Sequence, residues 1–131
     1  MKLRLIASLA ALLAVSSAAN ATEWTYVTVD SIGSEIYIDP SSVRNASSPI
    51  ETYLTAWFNV DQSKNEAKRA KNIKQLIAIK CDEYKLGLMQ SISYDAAKQI
   101  IDSEVFEYPN WRSAVPDSVG YDMLQAACGV Q

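Results

Sequence analysis

Side chains that could carry out catalysis are scarce in this sequence. Its 131 residues include no His, which removes Ser-His-Asp and Cys-His nucleophilic sites and the commonest ligand of transition metals. The glycines stand singly rather than in a cluster, at Gly33, Gly87, Gly120 and Gly129. A glycine-rich loop that could bind phosphate is therefore not part of this sequence.

Carboxylates are the remaining candidates for chemistry. Asp82 and Glu83 follow Cys81, and Glu104 and Glu107 lie three residues apart. Neighbours in a strand point to opposite faces, so Asp82 and Glu83 are not expected to act as a pair. A glycosidase with two carboxylates normally needs a deep cleft, which a chain of this length rarely forms. We predict a solvated sheet surface, no catalytic residue, no metal and no cofactor, with a carboxylate hydrolase as the remaining enzyme hypothesis.

A basic segment lies between two predicted long strands. It runs from Asp61 to Lys74 and contains five basic residues, which are Lys64, Lys68, Arg69, Lys71 and Lys74. The whole chain has a formal net charge of −3, and a mildly acidic chain is a poor candidate for binding nucleic acid. The favoured interpretation is a solvated hairpin tip that suppresses association of sheet edges. The alternative is a loop that binds an acidic protein, a glycan or lipid head groups.

The N-terminus has the organisation of a secretory signal. Lys2 and Arg4 precede an apolar run over 5–15, and small residues then lead to Ala19-Asn20-Ala21. These are the charged region, the apolar region and the cleavage site of a signal peptide. The apolar run is shorter than the ~20 residues of a spanning helix, and an uncleaved anchor is the alternative.

Two units follow from this division of the chain. We predict a signal peptide over 1–21 and one exported domain over 22–131 that does not span a membrane. No Cys follows directly after the predicted cut, so lipid attachment there is not expected. The periplasm is the favoured location, with the cell surface or secretion as alternatives.

Two cysteines, Cys81 and Cys128, remain in the exported domain. Export places them in an oxidising compartment, where a pair is usually bonded. Two buried thiols, a redox pair and a zinc site are the alternatives. The two residues are far apart, whereas redox pairs usually have the spacing C-x-x-C.

The elements that must position these residues follow from periodicity and turn signals. The predicted strands are 24–29, 35–38, 51–60, 73–84, 86–94 and 103–108, and Asp39 is expected to cap a short helical turn that starts at Pro40. Alternation with period two predicts one apolar face on each of the three long strands. In strand 51–60 this face consists of Leu54, Ala56, Phe58 and Val60. In strand 73–84 it consists of Ile73, Ile77, Ile79 and Cys81, and in strand 86–94 of Leu86, Leu88, Ile92 and Tyr94. Tyr53 and Trp57 share the other face of their strand, where core packing is favoured over a binding surface.

A C-terminal helix completes the predicted domain. Asp117 and Ser118 are candidates for its N-cap, and Gly129 is expected to end it. Its apolar face has helical spacing and consists of Tyr121, Leu124, Ala127 and Cys128. Both cysteines therefore lie on apolar faces, which supports their bond independently. The predicted fold class is α+β, an antiparallel β-sheet with a C-terminal helix packed on one face and one disulfide.

The sequence resembles the surface-adhesin protein E family of bacterial envelope proteins. The resemblance is carried by Trp24, by the segments 37–43 (YIDPSSV) and 91–95 (SISYD), and by the pattern W-x3-V-P-x-S of 111–118 that ends at Cys128. It implies a small α+β domain with a disulfide at these two cysteines. The turn after 94–95 reads Ala96-Ala97-Lys98-Gln99, where this family usually has a Gly.

The resemblance also implies a function. It leads us to expect a non-enzymatic, adhesin-like binding domain of the envelope that recognises a protein or a glycan and is a monomer or homodimer. The alternative is a periplasmic accessory or structural protein with an envelope partner. The candidate site residues are the five basic residues of the segment, for binding a partner, and separately Cys81 and Cys128, for the disulfide.

Overall fold

The computed structural model describes residues 22–130, so the predicted signal peptide lies outside the described residues. Within this range the strands are β1 Thr25–Val29, β2 Glu35–Ile38, β3 Arg44–Ser47, β4 Thr52–Asp61, β5 Asn72–Lys80, β6 Lys85–Tyr94, β7 Ile100–Val105 and β8 Arg112–Ser113. A 3-10 turn at Pro40–Ser42 separates β2 from β3, and the chain closes with α1, Val119–Cys128. No described helix has the length and apolar character that crossing a membrane requires.

All strands pair antiparallel in one sheet of order β1-β2-β4-β5-β6-β7. Two short strands lie beside this path, because β3 pairs with the first half of β4 and β8 pairs with the start of β6. The sheet curls, and α1 packs against β1, β2 and β6 on one of its faces. We call this the helix face and the opposite one the outer face. The predicted α+β class with an antiparallel sheet and a C-terminal helix is confirmed.

The core lies between the helix face and α1. Phe58 and Ile79 are fully buried there, and Leu124 is 1% exposed. Fully burying a side chain of this size stabilises the folded state by about 1.5–3 kcal/mol. The alternation read from β4 is confirmed, because Leu54, Ala56 and Phe58 are buried in the core and Val60 packs against it.

The disulfide joins the sheet to the helix. Cys81 follows directly after β5 and is bonded to Cys128 in the last turn of α1, at a sequence separation of 47. Both cysteines pack against the core cluster. The predicted strand 73–84 was too long at its end, because β5 stops at Lys80 and the chain turns through 81–84.

The capping residues act as their types predict. The Asp39 side chain accepts a hydrogen bond from the Ser41 amide at 3.0 Å, with Pro40 at the first position of the turn. The Ser118 hydroxyl accepts one from the Tyr121 amide at 3.2 Å and is the N-cap of α1. These bonds satisfy amides that have no acceptor within their own helical turn.

A bulge in β6 overturns one predicted face. Leu76 pairs with Gln90 but Ile77 pairs with Leu88, so Met89 is an extra residue in β6. An extra residue shifts the side-chain alternation by one. Leu86 and Leu88 therefore lie on the helix face, whereas Ile92 and Tyr94 lie on the outer face. The expectation that all four share a face is wrong, since nothing in the local residue pattern marks the bulge.

The outer face also holds two aromatic residues that were expected in the core. Tyr53 and Trp57 lie on this face, half-buried, and neither belongs to the core cluster. Trp57 pairs with Leu76 of β5. Tyr53 packs edge to face on Trp111 with the ring centroids 5.6 Å apart. The core interpretation is wrong for both residues, because they alternate along β4 with Leu54, Ala56 and Phe58, which face the core.

The last strands differ most from their prediction. The predicted strand 103–108 is replaced by β7 at Ile100–Val105, and Val105 is 74% exposed at its end. The turn before β7 contains Lys98 with a φ of 61°, a left-handed conformation that Gly adopts at little cost. The strands β3 and β8 were not predicted, because four and two residues without apolar alternation carry no strand signal.

Candidate functional site

The basic segment forms a structured loop, residues 62–71, between β4 and β5. The Gln62 amide donates to the Lys71 carbonyl at 2.9 Å, and the Gln62 side chain donates to the Ala70 carbonyl at 2.8 Å. Asn65 turns the chain inside the loop, since its side chain accepts from the Ala67 amide at 3.1 Å. The Lys71 amide donates to the Tyr94 carbonyl at 2.8 Å and ties the loop to β6. These bonds hold the loop in one shape.

The five predicted basic residues divide into three groups. Lys68 and Arg69 are exposed at the tip of the loop, and neither forms an ion pair with any residue in the described range 22–130. Lys64 is also exposed, and its Nζ lies 3.1 Å from Glu35 Oε1. Lys71 and Lys74 have structural contacts instead.

Lys71 and Lys74 contact other parts of the protein and are less exposed than the residues at the tip of the loop. Lys71 is half-buried, and its Nζ donates to the Asn65 carbonyl at 3.1 Å. Lys74 belongs to β5 rather than to the loop, and its Nζ lies 5.1 Å from the centroid of the Tyr94 ring on the outer face. Lys64, Lys68 and Arg69 are therefore the exposed cations of the loop.

A groove of about 550 Å³ with both polar and apolar lining lies beside the loop. The turn between β1 and β2 forms one wall with Ile32, Gly33 and Ser34, and the loop forms the other wall from Gln62 to Ala67. Ile32 is exposed at this edge. A partner that contacts the basic tip would also meet this groove. Sequence reasoning did not find the groove, because its two walls come from turns 30 residues apart in the chain.

Glu35, the first residue of β2, contacts Lys64 of the groove and Tyr37 of the sheet. The Tyr37 hydroxyl donates to Glu35 Oε2 at 2.6 Å. This hydrogen bond, together with Lys64, lowers the pKa of the Glu35 carboxyl below its ordinary value of 4.5. The same bond raises the pKa of the Tyr37 hydroxyl, because Glu35 stabilises the protonated form. Glu35 therefore holds Lys64 near the groove as an ionised partner.

A second polar cluster lies at the opposite end of β5. The Lys80 Nζ lies 3.3 Å from Glu51 Oε1, 3.4 Å from Glu83 Oε2 and 4.7 Å from the centroid of the Trp111 ring. Trp111 Nε1 donates to Glu51 Oε2 at 2.9 Å. Desolvation lowers the pKa of Lys80, but the hydrogen bonds and charges of the two glutamates outweigh it and raise the pKa. The groups satisfy one another, which indicates a structural role.

The candidate carboxylates lie in the turn after β5 and in or after the edge strand β7. Asp82 and Glu83 lie in the turn after β5 rather than in a strand, and Glu83 is shared between Lys80 and Lys85. Glu104 is exposed in the edge strand β7, and Glu107 is exposed in the segment after it. Within residues 22–130, three or more Cys, Asp and Glu side chains do not gather in a group that could hold a metal.

The comparison with known proteins decides the family. The sequence model of the family described as surface-adhesin protein E matches residues 24–129. The chain belongs to the surface-adhesin protein E family. The resemblance seen in the sequence motifs is therefore confirmed.

Solved structures agree with this membership at the level of the fold. The structure of Haemophilus influenzae protein E is similar with a TM-score of 0.54 and 19% sequence identity, over 83% of this chain and 89% of that one. Its selenomethionine form gives 0.53 and 18%, over 83% and 91%. No curated protein matches this chain by sequence. The surface-adhesin protein E family is a family of exported surface proteins, and the adhesin-like, envelope character of the chain follows from membership.

Proposed function

We propose that this chain is a non-enzymatic envelope domain that binds an acidic protein or glycan through the tip of its basic loop. The observation that carries this proposal is the pair Lys68 and Arg69, exposed on a loop whose shape is fixed by its own hydrogen bonds. A preorganised loop loses little conformational entropy when it binds, so its charges contribute more fully to affinity. Lys64 and the adjoining groove extend the same surface.

The charge pattern supports an acidic partner. The chain as a whole is acidic, with a formal net charge of −3, and would repel such a partner everywhere except at a local basic surface. Complementary charges steer the encounter and fix the orientation of the complex. Exposed lysine and arginine side chains suit carboxylate, sulfate and phosphate groups alike. Two classes of partner follow from this chemistry. One is a protein with many surface carboxylates, and the other is a sulfated glycan.

Immobilised heparin, a sulfated glycan, provides a direct test. We expect the full chain to bind heparin saturably, with affinity that falls as salt rises. The double variant Lys68→Glu with Arg69→Glu should bind about tenfold more weakly and with a smaller salt dependence, since each lost charge contact is worth up to about 1 kcal/mol. The matched control reverses two basic residues outside the loop, Lys85→Glu with Lys98→Glu, and should keep the affinity.

Two results would contradict the loop as the site. One is equal affinity of the loop variant and the wild-type chain for heparin and for an acidic protein. The other is an equal loss in the control variant, which would show that only net charge matters. The thermal melting temperature of each variant is measured first, so that a folding defect is not mistaken for lost binding.

We further propose that the domain works in the periplasm. The disulfide between Cys81 and Cys128 suits this oxidising compartment. Cell fractionation, together with protease treatment of intact cells, separates the periplasm from the outer surface. Cleavage of the chain by external protease would contradict the periplasmic location and leave the binding proposal intact.

A further inference from the structure

A cavity of about 590 Å³ lies beside β6, next to the part of this strand between its pairings with β8 and with β7. Its walls come from β5, β6, the start of α1 and the segment that follows β7. Six apolar side chains form most of the lining, namely Ile77, Leu86, Leu88, Phe106, Val115 and Met123. Sites for small ligands usually have volumes of about 300–1,000 Å³ and a mainly apolar lining with a few placed polar groups. The cavity fits this description.

The depth of the cavity is set by the core. Ile77 and Met123 are buried at 6% and 7% exposure and form its floor. Leu86 and Leu88 remain half-buried on the helix face, because α1 covers this side of the sheet only in part. Phe106 and Val115 are exposed at the rim. An apolar chain placed here would extend the existing core rather than create a separate contact.

The cavity lining also contains polar side chains, namely Gln75, Asn110, Arg112, Ser113 and Ser118. Arg112 in β8 is the one charged side chain among the described residues that line it. Within residues 22–130 no acidic side chain forms an ion pair with Arg112. Its guanidinium is therefore available to an anion, in a chain whose net charge is negative.

The start of α1 adds a second source of positive potential to the cavity lining. Ser118 and Gly120 both line the cavity, and the Ser118 hydroxyl is already used, since it caps the Tyr121 amide. The N-terminus of a helix carries a partial positive charge and favours anions. A Cβ at Gly120 would lie 3.2 Å from Leu86 Cδ1, so the missing side chain leaves the helix backbone close to the apolar wall.

We propose that this cavity binds a free single-chain carboxylate with a medium-length alkyl tail. The tail occupies the apolar space between Leu88 and Met123, and the carboxylate lies between Arg112 and the N-terminus of α1. The apolar depth and the positive rim are both needed by this class of ligand. A sugar or a cation lacks one or both of the matching features. The cavity is a second site, and the proposal does not depend on the basic loop.

Titration with decanoate tests this site in the full chain. Isothermal calorimetry should give saturable binding, and amide NMR shifts should concentrate at Leu88, Gly120 and Met123. Lengthening the tail from octanoate to decanoate should improve the affinity by up to about fourfold per methylene, because each buried methylene is worth about 0.8 kcal/mol. Decylammonium, which has the same tail and the opposite charge, should bind at least tenfold more weakly.

Two variants locate the head and the tail separately. Arg112→Gln removes an exposed charge and should weaken decanoate binding about tenfold, with little effect on the melting temperature. Lys85→Gln, on the paired strand but outside the lining, is its matched control and should bind within twofold of the wild-type chain. Leu88→Trp fills the cavity and should abolish binding, and its circular dichroism and melting curve show whether it still folds. If it does not fold, the Arg112 and Lys85 pair decides the question.

Several outcomes would overturn the proposal. These are an absence of saturable decanoate binding, equal affinity for decylammonium, equal loss in the Lys85→Gln control, and NMR shifts centred elsewhere. Binding to phosphatidylglycerol vesicles without binding to decanoate would show that this region contacts a lipid surface and would contradict the proposal of a free ligand. A dimer that sedimentation detects and decanoate does not dissociate would assign the cavity to self-association. Heparin binding is unaffected by any of these results, so the two proposals fail independently.

Discussion

The two ends of β5 are built in opposite ways. Beyond Lys80 the chain passes to Cys81, which is bonded to α1 and packs against the core. Before Asn72 the chain comes from the basic loop, which is held by backbone and amide hydrogen bonds and exposes its charges. The first end is stabilised by burial and a covalent bond, and the second is ordered without either. The comparison indicates that residues at the tip of the loop can change at little cost to the stability of the domain.

Among the changes that test this comparison, removal of the disulfide should lower the free energy of unfolding most. Cys81→Ser with Cys128→Ser is expected to lower the free energy of unfolding by about 4 kcal/mol, because the bond closes a loop of 47 residues in the unfolded chain. Urea denaturation with and without the two substitutions measures this change. A loss below about 1 kcal/mol would show that packing alone holds α1 to the sheet.

Truncation of Leu124 should be the next largest effect. Leu124 is 1% exposed in the core, and Leu124→Ala is expected to lower the free energy of unfolding by about 3 kcal/mol through lost burial and a residual cavity. Gln125→Ala, on the exposed side of the same helix, is the matched control and should stay within about 0.5 kcal/mol. Similar changes in both variants would indicate that burial of Leu124 adds no more to stability than an exposed residue of the same helix does.

Charge reversal at the loop tip should barely change stability. Lys68→Glu with Arg69→Glu is expected to alter the free energy of unfolding by less than about 0.5 kcal/mol, since neither residue forms an ion pair within the described range. The same urea titration serves as the measurement. A loss above about 2 kcal/mol would break the comparison, because the tip would then be part of the folded scaffold rather than a replaceable surface.

The smallest expected effect is on the protonation of Glu35. Tyr37→Phe should raise the pKa of the Glu35 carboxyl towards 4.5, and more than Lys64→Gln does, because the Tyr37 hydrogen bond is the larger cause of the lowered pKa. Carboxyl titration by NMR measures both values. The folded pKa lies below the unfolded one, so this contribution to stability is present above about pH 4.5 and is lost as the pH falls through the lowered pKa. A larger shift in Lys64→Gln would show that charge dominates over the hydrogen bond.

The sequence by itself determined the parts of this protein that depend on local physical chemistry. The alternation in β4 placed Phe58 in the core, because side chains in a strand alternate between its faces. Ser118 and Asp39 were recognised as caps, because short polar side chains accept hydrogen bonds from unpaired amides. The pairing of Cys81 with Cys128 followed from export and from apolar faces that the two elements each present. The basic residues of the loop were also visible in the sequence.

Only the tertiary structure decided how these parts meet. The bulge at Met89 moved Ile92 and Tyr94 to the outer face, and a bulge depends on the register between β5 and β6 rather than on either strand alone. Lys71 contacts Asn65 and Lys74 contacts the Tyr94 ring, because the fold of the loop and the strand pairing place these partners beside them. The cavity beside Arg112 is formed by four separate segments. Local patterns specify which face a side chain prefers, but register and packing specify what that face meets.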